Sequence, residues 1–264
     1  MKRLLSVLFV SFLATNFSYA AQNTKEKVIG TTIGDFADIV KDSLGPALEK
    51  RGYKVRLVEF SDYVQPNIAL SEGSLDLNIF QHKPYLDDFM KQKGLALKPI
   101  AQVPTAPLAI YPGKKKSLSD VKNGDSVALP NDPTNLARAL LLLQELKWIE
   151  LPKNINAFTV APKDIKSNPK NLKIVQLEAA QVPRSLRDVE YAIINGNYVV
   201  SSGLQLTMAL QQEQSDAYVN WAVIRTSDEN SKFATDVKEI LNSKEFQAYA
   251  KKKFKGYKYP TSWK

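Results

Sequence analysis

The residues best placed to do chemistry begin at Asp132-Pro133-Thr134-Asn135, with Arg138 three residues further on. Asp132 suits a helix N-cap, because its carboxylate can take an amide of the first turn. Pro133 suits the first helical position, where a missing amide costs nothing. The positive end of the helix then faces outward, and Arg138 shares a side with Asn135. A guanidinium fork beside free amides can receive a carboxylate; an ordinary capped helix whose arginine pairs with an acid explains the same residues equally well. A second group, Phe80, His82 and Tyr85, closes an apolar run and opens a helix, and Tyr63 lies in the preceding strand–helix turn. Four rings there favour an apolar or thioether side chain, since sulfur packs well against ring edges. Core packing is the plain alternative for Phe80 and Tyr85, and a structural hydrogen bond for His82. Asn195, Asn197 and Asn220 offer paired donors and acceptors suited to a zwitterion, although turn formation accounts for each alone.

The elements that must position these side chains alternate between strand and helix. Residues 28–32 read as a buried strand, and 36–51 carry a helical apolar stripe ended by Gly52. Residues 55–60 and 75–80 are strand-like, 64–71 and 84–93 helical. The β-α-β order predicts parallel α/β sheets. Prolines 104, 107 and 112 punctuate an extended segment at 103–112 that suits a crossing between lobes. A second unit follows: a strand at 126–129, the most apolar helix at 135–148, strands at 174–177 and 191–194, and a helical stretch at 183–189. The extended run 218–225 is the natural return crossing, and two amphipathic helices fill 231–254. Two α/β lobes joined by two crossings are therefore expected: residues 21–111 plus 218–264, and residues 112–217. A cleft should lie between them, and ligands of open α/β sheets bind at the carboxyl ends of the strands.

Composition excludes several classes of function. The 264 residues contain no cysteine and one histidine, so thiolate sites and multi-histidine metal centres are ruled out. No metal or other cofactor is expected. Lys2 and Arg3, an apolar run at 4–14 and small residues at Ser18 and Ala20 describe a cleavable secretory signal at 1–20. The formal charge of +9 falls by two without that leader, and much of the rest sits in Lys114–Lys116 and Lys251–Lys253. A solvated helix face explains the second run, and no zinc-finger, RNP-like or arginine-rich pattern supports nucleic-acid binding. No nucleophile elbow, P-loop or dinucleotide fingerprint is present, and the carboxylates of Asp87 and Asp88 fit a solvated helix face. The chain reads as a non-enzyme.

The segments Phe60–Asn67, Phe80–Leu86 (FQHKPYL), Pro130–Ala139 (PNDPTNLARA), Pro183–Leu186, Ile194–Tyr198 and Tyr218–Asn220 resemble the NlpA-type methionine-binding proteins, in that family's order and over about residues 28–225. The resemblance implies an α/β, two-lobe periplasmic-binding-protein-like fold of type II, and a substrate-binding protein that delivers methionine to an ABC importer. It implies that Tyr63, Phe80, His82 and Tyr85 enclose the ligand side chain, and that Asn135, Arg138, Asn195 and Asn220 hold its amino and carboxylate groups, with Asn197 an alternative to Asn195. The expected partners are a small-molecule amino acid and a permease with its ATPase subunit; a monomer is expected. Family members are commonly tethered through a cysteine at the cleavage site, and this sequence has none, so a freely soluble periplasmic protein without a lipid-anchor cysteine is expected. Two alternatives remain open at this point. One is a binding protein for another amino acid, a short peptide or an organic sulfur compound; the other is a surface interaction protein using its lysine-rich exterior.

Overall fold

The computed structural model describes residues 26–263, so the expected leader lies outside the described residues. The chain runs β1 (Glu26–Thr32), α1 (Asp35–Ile39), α2 (Gly45–Glu49), β2 (Lys54–Phe60), α3 (Gln65–Ser71), β3 (Leu77–His82), α4 (Lys83–Lys93) and β4 (Leu97–Val103). It continues through β5 (Ala109–Pro112), β6 (Ser126–Pro130), α5 (Pro133–Glu145), β7 (Lys173–Leu177), β8 (Tyr191–Ile194), α6 (Gly196–Ser201) and β9 (Gln211–Gln212). It then closes with β10 (Asn220–Arg225), α7 (Lys232–Asn242) and α8 (Lys244–Lys253). The helix expected at 36–51 is interrupted by a π-helical turn at Val40–Leu44. Pro46 follows immediately and has no amide to donate to the preceding turn, a common reason for such an insertion. Gly45 donates to the Val40 carbonyl, and a Cβ there would come within 2.7 Å of that oxygen.

Two five-stranded sheets result, ordered β2-β1-β3-β10-β4 and β7-β6-β8-β5-β9. In the first, β1 runs parallel to β2 and β3, whereas β10 is antiparallel to both β3 and β4. In the second, β6 is parallel to β7 and β8, and β5 is antiparallel to β8 and β9. The expectation of purely parallel sheets is thus corrected: each sheet is mixed. The physical reason is that β5 and β10 arrive from the opposite sheet rather than through a right-handed crossover, so nothing obliges them to run parallel. β5 pairs in the second sheet, so the first passage falls at 104–108 and residues 109–111 belong with the second lobe. β4 was not foreseen; it is an edge strand, where Pro99 is tolerated. The stretch expected to be helical at 183–189 is a 3-10 segment, Ala179–Arg187, with Pro183 inside it.

Each sheet is covered on both faces, which explains why all six residues of β3 are buried. On one face of the first sheet Phe36, Leu44 and Leu48 meet Val237, Leu241 and Phe246 from the C-terminal helices; Leu70, Leu86 and Val223 fill the other. In the second sheet α5 lays Leu136, Leu140 and Leu143 against Val127, Leu129 and Ile193. Val182, Tyr198 and Val199 cover the opposite face. The C-terminal tail returns to the first passage, where Lys258 and Thr105 exchange two backbone hydrogen bonds of 2.9 Å.

Candidate functional site

The carboxyl ends of β3 and β8 and the start of α5 face one another where the chain passes between the sheets. Between them lies a small cavity lined by both aromatic and polar side chains. Tyr63, Phe80, His82, Tyr85, Asn135, Arg138, Asn195 and Asn220 all line it, together with Asn197. The structure therefore brings every expected site residue to one place.

Asn135 is the centre of the polar network. Asp132 caps α5 by accepting the Asn135 amide at 3.0 Å, and its carboxylate also accepts from Asn135 Nδ2. A carboxylate there can only accept, so the Asn135 carbonyl oxygen turns the other way. It receives His82 Nε2 at 3.1 Å, Asn195 Nδ2 at 2.8 Å and Arg138 Nη1 at 3.3 Å. His82 caps α4: its Nδ1 accepts the Tyr85 amide at 3.1 Å, which places the imidazole proton on Nε2. Burial, reinforced by the positive charge of Arg138, lowers the His82 pKa to about 3. The ring is neutral at physiological pH, and both nitrogens are engaged. Its sequence-level alternative, a structural hydrogen bond, is what the geometry displays, while the ring still faces the cavity.

The aromatic wall comes from the first lobe. Tyr63 lies 5.9 Å from both Phe80 and Tyr85 between ring centroids, and Tyr85 donates its hydroxyl to the Tyr63 carbonyl. Across the cleft, Tyr63 donates to Asn197 Oδ1 at 2.6 Å, and Tyr198 donates to the Ser61 carbonyl at 3.1 Å. Asn197 is thus committed to holding the lobes together. Burial raises the Tyr63 pKa well above its ordinary value, so this donor keeps its proton.

Asn195 and Asn220 differ from Asn197 in having atoms to spare. Asn195 Oδ1 is buried and has no hydrogen-bond partner, an expensive state for an amide oxygen. Asn220 uses Nδ2 on the Phe80 carbonyl and its backbone amide on Thr105 Oγ1, which leaves Oδ1 for a ligand. Arg138 is less free than its spacing suggested. Its Nε and Nη2 edge grips both oxygens of Glu213, so only Nη1 points toward the amide cluster. Its guanidinium also sits 4.5 Å from the centre of the Tyr218 ring. Glu213, Tyr198 and Tyr218 were missed from the sequence. Glu213 lies 75 residues from Arg138, and no local pattern marks the two as partners.

Residues 28–262 match the family model described as NlpA lipoprotein. The chain is 41% identical over 235 residues to the D-methionine-binding lipoprotein MetQ of Escherichia coli K12, covering 86% of this chain and 85% of the relative. It is 39% identical over 243 residues to outer membrane lipoprotein 3 of Mannheimia haemolytica, with 91% and 92% covered. Among solved structures, a nutrient binding protein from Burkholderia cenocepacia bound to methionine superposes with a TM-score of 0.84 at 39% identity, over 89% of this chain and 99% of that one. These relationships overturn one expectation. A free periplasmic protein without a lipid anchor was inferred from the cysteine count, but the family and both sequence relatives are named lipoproteins. The count describes composition; it does not set this chain apart from a lipoprotein family.

Proposed function

From the premise that this chain belongs to the NlpA lipoprotein family, we propose that it is a substrate-binding protein for methionine. It captures the amino acid between its lobes and hands it to an ABC importer whose separate subunit hydrolyses ATP. The observation that carries this reading is the meeting of an aromatic wall with an unpartnered, buried amide oxygen in one interlobe cavity. In this reading Tyr63, Phe80, His82 and Tyr85 surround the thioether. Asn195 Oδ1 and Asn220 Oδ1 accept the ammonium, while Arg138 Nη1 holds the carboxylate and Asn135, its own donors taken by Asp132, orients Arg138 and Asn195 through its carbonyl oxygen. The relatives named for methionine, and one solved with it, support the ligand class. His82 supports binding over catalysis, because the chain's one imidazole has no nitrogen left to act as a base.

Ligand contacts to both lobes favour the closed form over the open one, which is how binding drives closure about the passages at 104–108 and 213–219. The test is thermal unfolding of refolded, ligand-stripped protein with L-methionine, D-methionine, glycine or glutamate. Ligand at about 100 times its dissociation constant adds roughly 2.7 kcal/mol to the native state. For a chain of this size that raises Tm by roughly 5–10 °C. A rise with methionine and none with glycine or glutamate is expected; no rise with either methionine isomer refutes the ligand assignment.

A further inference from the structure

Glu213 is a buried carboxylate at the start of the second interlobe passage. Its backbone amide donates to the Leu108 carbonyl at 3.0 Å, and its Oε1 accepts the Leu108 amide at 3.1 Å. The side chain is thereby fixed to the first passage as well as to the second. Both oxygens then receive the Nε and Nη2 edge of Arg138, with the two side chains 4% and 5% exposed. So buried a carboxylate is stable only when its charge is met and its oxygens are hydrogen-bonded, and here the guanidinium meets the charge while three donors reach the two oxygens.

This arrangement does two things to the ligand site. The guanidinium's forked edge, the one suited to grip a carboxylate bidentately, is already occupied, so a ligand meets Nη1 alone. The positive charge of Arg138 is also cancelled at contact distance. With His82 neutral, the cavity-lining groups and Glu213 sum to no net charge, and the Asp132 carboxylate behind Asn135 adds negative charge that further disfavours a simple anion. We infer that Glu213 is the positioning residue for Arg138 and sets the charge class of the ligand: it makes the cavity a receptor for a zwitterion and not for a simple anion. The inference about ligand charge rests on the amino-acid-binding reading above, whereas the pairing itself does not.

Two measurements separate the claims. First, Tm is measured without ligand for wild type, Arg138→Ala, Glu213→Gln and the double variant. Each single change leaves a buried partner unmatched, so the double variant should lose much less than the sum of the two losses. Simply additive losses would overturn the positioning role, whatever the protein binds. Second, calorimetry compares L-methionine with 4-(methylthio)butanoate, the same carboxylate and thioether without the amine. Wild type should prefer the zwitterion, and Glu213→Gln should shrink that preference by about tenfold or more, the order expected for removing one nearby unit charge. Glu213→Asp keeps the charge but shortens the reach; it should weaken both ligands and retain the preference, and it serves if Glu213→Gln does not fold. Equal weakening of the two ligands in Glu213→Gln would reduce Glu213 to a structural residue and overturn the charge-class role. If wild type binds neither compound, the amino-acid reading and the charge-class role fall together, and the Tm comparison alone decides the positioning role.

Discussion

Replacing Tyr63 by Phe removes one oxygen and keeps the ring that packs against Phe80, Tyr85 and Tyr198. The hydroxyl it deletes donates to Asn197 Oδ1 at 2.6 Å across the cleft. Asn197 is buried, with Nδ2 directed at Thr32 Oγ1 3.4 Å away, so in the closed form its oxygen has no ready substitute donor. Once the lobes part, water reaches the same oxygen and the deletion costs little. The penalty therefore falls on the closed state. A buried acceptor left unmatched costs roughly 1–3 kcal/mol, and the lower half of that range corresponds to about a 5- to 30-fold change in an equilibrium. With ligand binding the closed state, as proposed above, the apparent dissociation constant for methionine should rise by about that factor. Solution scattering of the ligand-free variant should show a larger radius of gyration than wild type. Because burial holds the Tyr63 pKa far above neutrality, the difference between wild type and variant should be constant from pH 5 to 9. Unchanged affinity and an unchanged radius would refute the assignment of this bond as a closure latch.

Other substitutions test the surrounding structure. Burial raises the Asp35 carboxyl from 3.8 to about 7; the native state then holds a proton that the unfolded chain has lost, so this group's stabilisation, about 4 kcal/mol, is complete below pH 4 and disappears as pH rises to 7. His82 acts in the opposite sense, its lowered pKa costing stability as pH falls from 6.5 toward 3, so Asp35→Asn should unmask a Tm that climbs between pH 4 and 6.5; a Tm–pH curve parallel to wild type would contradict this. Gly196→Ala would put a Cβ within 2.5 Å of the Ala106 backbone, and urea unfolding should show a loss of about 1–3 kcal/mol. Ser243 caps α8 by accepting the Phe246 amide at 3.1 Å, so Ser243→Ala should lower stability by about 1 kcal/mol in the same assay.

What could be read from the sequence divides by how far the responsible contact lies along the chain. The cap at Asp132 is legible because its partner, the Asn135 amide, is three residues away; for His82 a structural hydrogen bond was expected, and the structure identifies it as a cap on the Tyr85 amide. Apolar periodicity located most strands and helices for a similar reason, since it records which face of a local element is covered. Strand direction carries no such local mark: residues 220–225 are a largely buried apolar run that would read the same in either direction, and only the route from the second sheet makes β10 antiparallel to β3 and β4. The π-helical turn before Pro46 also escaped, because the apolar stripe of 36–51 continues through it.

The site residues sharpen this distinction. Their chemical types and their positions at strand ends marked them as candidates, yet type alone could not say which atoms were available. Asn195 and Asn197 stand two residues apart with identical side chains. One leaves a buried oxygen without a partner, while the other is consumed by Tyr63, 134 residues distant. Arg138 shows the same division within a single side chain: one edge is claimed by Glu213 and one nitrogen faces the cluster. Specificity here depends less on which polar groups line the cavity than on which of their atoms the fold has already used. Long-range partners such as Glu213 and Tyr63 make that allocation, and they do so through the passages and the interface that would move in the proposed opening and closing of the lobes. Selectivity and closure are therefore set by the same contacts, and a substitution that alters one should be expected to alter the other.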